Sequence, residues 1–268
     1  MSDEKDLVKA GVEGAVSGAI EGSGFRDLVQ RFLGPLATEV GTGLGYVGTV
    51  LRMKLALSMM QKASKILSDA GIDPKPVAPK LFLPILEHAS LEDDEYLQER
   101  WATLLANVAG SGGKVVVACA FPGILKELSS EEARILTKMY EGLKEEFARS
   151  ESPALPLRTP LGTHSRVFAW YCQEFHGKRV ADPRSIVQEE LYPGFCAIID
   201  NLKRLGLLFE HLVPLEYQLN PDRHFLAASP STDIQTIITG EHEERIFMTE
   251  LGYQFVRACQ PPISGGNS

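Results

Sequence analysis

The chain has 268 residues, of which 44% are hydrophobic and 23% charged, with a formal net charge of −8. That is enough chain to bury an ordinary core without disulfide or metal staples, and the composition excludes global disorder. No long segment is basic overall, which argues against a strong non-specific nucleic-acid binder, since such proteins need many Lys and Arg to displace counterions.

Residues 3–22 are compatible with a helix whose small residues Gly14, Gly18 and Gly22 recur every four positions. Each glycine lowers helicity by about 1 kcal/mol, so the segment is weak alone. It reads either as a flexible tail or as a face for close helix packing against a partner or a membrane. Phe25–Leu33 fits a short amphipathic helix with Phe25, Leu28, Val29 and Phe32 on one side, broken by Gly34 and Pro35. Leu36–Leu67 reads as helical, weakened early by Gly41, Gly43, Gly45 and Gly48. It is firmer where Leu51, Leu55, Met59, Ala63 and Ile66 form a stripe. Gly71 and Pro74 mark a stop.

Asp73–Pro79 carries three prolines in seven residues and reads as a short stiff linker. With Pro84 close behind, Leu81–Leu86 is either a kinked helix or two short turns. Ser90 is expected to cap the next helix, with Glu92, Asp93, Asp94 and Glu95 at the positive end of its dipole. Leu97, Trp101, Leu104, Leu105 and Val108 then make one buried stripe, ended at Gly110. Val115–Ala120 fits either a short buried strand or a helical turn.

Ser129 and Glu132 have the spacing of a capping box and open a helix to about Ala148 carrying Ala133, Leu136, Met139, Tyr140, Leu143 and Phe147. Residues 150–163, with Pro153, Pro156, Pro160 and Gly162, read as a loop or boundary. Pro193 suits a helix start, followed by a stripe of Phe195, Ile198, Ile199, Leu202 and Leu205 and a stop at Gly206. Leu207–Leu212 is an extended apolar run, Val213–Glu244 a long polar excursion, and Arg245–Met248 a strand. Thr249 caps a last helix carrying Leu251, Phe255 and Val256. Helix, strand, excursion, strand and helix in this order is the pattern of a winged-helix module.

The expected fold is therefore mostly α: a helical N-terminal domain followed by a winged-helix-like α+β module. The parts run 1–72 (glycine-rich helical region), 73–150 (helical core), 160–262 (winged-helix-like module) and 263–268 (disordered tail).

Pro84, Leu86, the run ASLEDDEYLQERWATLLANVA from Ala89 to Ala109, and LKELSSEEARIL from Leu125 to Leu136 resemble the abortive-infection alpha family. The resemblance lies mainly over residues 79–136. It implies a mostly helical bacterial domain that serves phage defence. It transfers no catalytic residue, and the stretch Gly110–Ala120 fits the family pattern poorly.

The residues themselves point to no chemistry. The acidic run Glu92–Glu95 lacks the alternation and turn glycine of a calcium loop, and GTGLG at Gly41–Gly45 is no phosphate loop. His88, His164, His176, His211, His224 and His242 show no ligand spacing. Cys119, Cys172, Cys196 and Cys259 lie far apart and read as buried free thiols in a reducing cytosol. No catalytic residue, cofactor or metal ligand is expected, and the protein is expected not to be an enzyme. The N-terminus lacks the apolar core of a signal peptide. The charge-free stretch Val40–Leu51 falls short of the ~20 residues that span a bilayer, so a cytoplasmic location is expected.

Asn201, Lys203 and Arg204, off the buried stripe of their helix, are the candidate contacts for nucleic acid or a partner. Gly14, Gly18 and Gly22 are the candidates for close helix packing. The expected function is phage defence through interaction with a phage or host protein. The alternatives are a winged-helix DNA-binding regulator and a membrane-acting effector working through the glycine-rich N-terminus.

Overall fold

A computed structural model of the chain describes residues 24–34, 50–110, 119–149, 160–180, 190–214 and 242–262. Its described elements are α1 (Phe25–Leu33), α2 (Val50–Asp69), α3 (Pro79–Ala89), α4 (Glu95–Gly110), α5 (Phe121–Leu125), α6 (Ser130–Arg149), β1 (Gly162–Thr163), α7 (His164–His176), α8 (Tyr192–Arg204), β2 (Leu208–Pro214), β3 (His242–Met248) and α9 (Glu250–Ala258). The protein is mostly helical, with one small antiparallel sheet in the order β1-β3-β2. Gly14, Gly18, Gly22, the segment 35–49, most of Val115–Ala120, most of the excursion after Val213 and the tail 263–268 lie outside the described residues. The described residues form two compact units, those within 1–133 together with those from 254 onward, and those within 134–253.

In the first unit α4 is the central element. Leu97 to Asn107 is buried except at Glu99 and Arg100. A helix covered this completely is packed on several sides, and α2 and α3 both lie against it. The single stripe expected from Leu97, Trp101, Leu104 and Leu105 is thus only part of the buried surface; Gln98, Thr103 and Asn107 are buried too. On α2 the buried residues are Ala56, Met59, Met60, Ala63 and Leu67, with Leu55 and Ile66 only half-buried. Met59 and Ala63 of the expected stripe are thus buried, while Ala56, Met60 and Leu67 take the inward places expected of Leu55 and Ile66. α1 buries Val29 and Phe32, and Phe32 stacks on Phe82 of α3 at 6.4 Å between centroids.

The proline-rich linker is stitched down by its backbone. Lys75 N–H donates to Ala109 O at 2.8 Å and Val77 N–H to Phe32 O at 2.7 Å. Prolines there leave few amides, and these two find carbonyls. α3 is one helix despite Pro84: Pro79 starts it within the first turn, where no donor is needed, and Pro84 sits inside.

Ser90 does not cap α4. Its hydroxyl donates to Glu87 O at 2.6 Å, closing the end of α3. The cap of α4 is Asp94, whose Oδ1 accepts from Leu97 N–H at 2.9 Å. A carboxylate there also faces the positive end of the helix. The expected capping box is formed: Ser129 N–H donates to Glu132 Oε2 at 2.7 Å, and Glu132 N–H to Ser129 Oγ at 3.2 Å.

In the second unit β2 pairs along its length with β3, from Leu208 with Met248 to Pro214 with His242, and β1 adds Gly162 with Ile246 and Thr163 with Arg245. Gly206, at φ 72°, reverses the chain between α8 and β2, with Leu207 N–H donating to Leu202 O at 2.9 Å. Only glycine enters that conformation without steric cost. Thr249 caps α9, its Oγ1 accepting from Gly252 N–H at 2.9 Å.

All four cysteines are free, but only Cys172 and Cys259 are buried; Cys119 is exposed and Cys196 half-buried. Burial pushes the Cys259 thiol up to about 12, against the opposing pull of Arg100, so it stays protonated and inert. Among the described residues no helix is long and apolar enough to cross a membrane.

Candidate functional site

The residues singled out for contact sit on α8, whose buried side is Phe195, Ile199 and Leu202. The helix opens at Pro193, in the first turn, and carries Lys203 and Arg204 in its last turn, where cations complement the dipole. Asn201 and Lys203 are half-buried and Arg204 is exposed.

The structure engages all three residues internally. Lys203 Nζ donates to Glu210 Oε2 on β2 at 2.7 Å and to Asp200 Oδ1 at 3.3 Å. Arg204 donates through Nε and Nη2 to Asn201 Oδ1, at 3.0 and 2.7 Å. Asp200 itself projects outward, its side chain 71% exposed.

Glu210 is the hub of this arrangement. Its second oxygen, Oε1, lies 2.7 Å from His164 Nε2 at the start of α7. The carboxylate is only 14% exposed. Burial pushes its proton affinity up, but the hydrogen bonds from Lys203 and His164 outweigh this and hold its pKa below the usual carboxylate range. The bond to Glu210 and its charge, with a smaller contribution from Asp200, hold the Lys203 ammonium above its ordinary pKa against the opposing effect of burial. The His164 ring stands edge-on to Phe195 at 5.8 Å, among the packed rings of Phe168, Tyr171 and Tyr192. Burial, then a hydrogen bond with Cys196, raises the Tyr192 hydroxyl above its ordinary pKa.

Chemically this is a clasp. A carboxylate held ionised by two donors is a poor general base, and a lysine kept charged by an ion pair is no nucleophile. The clasp joins α7, α8 and β2. Asn201, Lys203 and Arg204 do come together at one end of α8, but they are satisfied by their own neighbours. Sequence reasoning missed Glu210 and His164. Glu210 was legible in part, because a glycine turn followed at once by a strand returns the chain beside the helix it has just left.

In the first unit His88 lies near the buried Trp101, ring centroids 6.0 Å apart. Burial and, secondarily, Lys126 lower its pKa below 6.5 against the opposing pull of Glu87. Asp94, from the acidic run, is committed as the cap of α4 and accepts from Ser130 Oγ at 3.0 Å.

No curated protein and no solved structure matches this chain. The family model described as abortive infection alpha matches residues 54–259. That span is far wider than the 79–136 on which the sequence resemblance rests. It runs from the first turns of α2 past the end of α9, so it takes in the α8 clasp and the sheet as well as the central helix α4. The chain belongs to the abortive infection alpha family, whose role is in phage defence.

Proposed function

We propose that this protein serves abortive infection as a cytoplasmic, non-enzymatic interaction protein, and that its α+β part is a winged-helix-like module that meets a phage or host protein instead of DNA. The order α7, α8, β2, β3, with the helix α8 turning through Gly206 into a two-stranded ribbon, supports the winged-helix reading. One observation carries the choice of a protein partner. The Lys203 charge on α8 is already neutralised by Glu210 and Asp200, and Arg204 is spent on Asn201. A phosphate contact through Lys203 would first have to break a part-buried ion pair, which opposes affinity.

The test has two arms. Cells carrying the gene with its native neighbours are challenged by a phage panel at low and high multiplicity. Survival at low multiplicity with culture collapse at high multiplicity is the abortive-infection outcome. In parallel the purified chain is titrated with fluorescent duplex DNA at low salt. Saturable binding whose salt slope falls in Lys203→Ala and Arg204→Ala would replace the protein-contact reading with the DNA-binding one.

A further inference from the structure

We propose that the groove between α6 and α7 in the second unit seats an acidic segment of a partner protein, with Arg166 as its anchor and an apolar side chain of the same segment inserted beside Trp170. The proposal rests on the interaction reading above and names the chemistry of the partner.

The groove is open and measures about 200 Å³. That is below the roughly 300–1,000 Å³ of pockets that bury most of a small molecule, and it suits one or two side chains of a larger partner. Its floor is the buried Met139, Leu143 and Val167, and its wall is the half-buried Trp170. An aromatic body with one face on a groove is the kind of anchor that interfaces favour.

The rim holds two cations in different states. Lys138 is already occupied, with Glu141 at 3.6 Å and Glu174 at 3.5 Å. Arg166 is exposed, and its guanidinium has no hydrogen bond or ion pair among the described residues. A free guanidinium takes a carboxylate in a two-pronged bond. The same rim opposes a polyanion: the two carboxylates Glu141 and Glu174 stand at Lys138, so successive phosphates of a nucleic acid would meet repulsion there. A single carboxylate next to an apolar residue satisfies both the cation and the floor.

The experiment pans a random 12-residue peptide library on the full-length chain and measures enriched peptides by fluorescence anisotropy. The expected consensus places Asp or Glu beside a large apolar residue. Arg166→Glu should weaken binding at least about tenfold and Arg166→Lys less, since a lysine keeps the charge but not the fork. Peptide binding should also shift tryptophan emission, and the shift should vanish in Trp170→Phe, because the other tryptophan, Trp101, is buried in the first unit. Circular dichroism checks the fold of each variant, and Arg166→Gln carries the test if charge reversal prevents folding. No enrichment, a consensus without an acidic residue, or equal binding by Arg166→Glu would overturn the proposal. So would a dimer in sedimentation that Arg166→Glu dissolves, which would make a second copy the occupant. Failure of the peptide arm with intact phage protection sinks only the groove assignment; loss of phage protection by the wild-type gene sinks the broader reading.

Discussion

Asn107, near the end of α4, donates its side-chain amide to the carbonyl of Ala258, the last residue of α9, at 2.8 Å, and to Gln260 O at 2.7 Å. Arg100, two turns earlier, donates to Cys259 O at 2.9 Å. The end of a helix leaves carbonyls without intrahelical partners. Here two side chains from a helix 151 and 159 residues away in sequence satisfy them, and a guanidinium faces the negative end of the dipole. Asn107→Leu keeps the number and branching of the side-chain heavy atoms but removes the amide donor, leaving both carbonyls unpaired. It should destabilise the protein by about 2 kcal/mol. The check is the urea midpoint, which should fall with an unchanged slope; an unmoved midpoint would show that the cap is idle.

Gly252 in α9 lies against the backbone of Leu207. A Cβ built there would sit 2.3 Å from Leu207 O and 3.1 Å from Met248 Cγ. The carbonyl cannot retreat freely, since it accepts from Thr249 N–H at 3.0 Å. Gly252→Ala should therefore cost about 3 kcal/mol through overpacking. Gly142, on α6, has nothing within 4 Å of its own Cβ position. Gly142→Ala should stabilise by about 0.5–1 kcal/mol, because alanine loses less freedom in a helix. Opposite signs in thermal unfolding are the expected result, and a similar effect of both substitutions would refute the close approach at Leu207.

Much of this fold was legible because it is encoded locally. The Ser129 and Glu132 box, the Thr249 cap and the Gly206 turn each follow from residues within a few positions of one another. The apolar stripe of α8 follows from one helical period. Two local readings went astray. Ser90 stood at a plausible cap position, but Asp94 lies closer to the helix and brings a charge. In the α2 stripe Met59 and Ala63 are buried as expected, but Leu55 and Ile66 are half-buried and Ala56, Met60 and Leu67 lie inward beside them. The helix α7 was missed, although Thr163, the spacing of Val167, Phe168, Tyr171 and Cys172, and Gly177 just past its end announce it. What no local pattern held is the long-range pairing: Asn107 with Ala258, and His164 with Glu210. Those depend on how the chain returns, and nothing in the spacing of one partner names the other.

The clasp on Glu210 makes a prediction about acid sensitivity. Lys203→Met removes one of the two donors and leaves the carboxylate in its part-buried place, so burial then pulls its pKa upward. In the wild type the pKa is held below 4.5, the ordinary value. The group thus contributes stability that is fully present above 4.5 and is lost as pH falls through the lower folded value. In Lys203→Met that contribution should shrink. Stability at neutral pH should drop by about 1–2 kcal/mol, and acid unfolding should begin at higher pH. Adding Glu210→Gln should restore part of the loss, since the amide carries no charge to strand. If the double variant is as weak as the single, the ion pair is not the cause.

His88 should give a dependence of the same sign as Glu210, but in a higher pH window, near neutrality. Its ring lies beside Trp101, and burial, aided by Lys126, holds its pKa below 6.5 in spite of Glu87. The unfolded chain takes up a proton near 6.5 while the folded chain resists. As pH falls through 6.5 the unfolded state therefore binds more protons, and stability declines until the folded-state pKa is reached. One such group sets a slope of at most about 1.4 kcal/mol per pH unit. His88→Phe retains an aromatic ring against Trp101 and removes the proton site, so its unfolding free energy should be flatter than that of the wild type between pH 7 and 5.5. Measuring both by urea titration across that range isolates the effect, because carboxylates near their ordinary pKa values titrate mainly below it. Parallel pH profiles for the two proteins would mean that the His88 ring protonates as readily in the folded state as in the unfolded, and that its place beside Trp101 carries no electrostatic consequence.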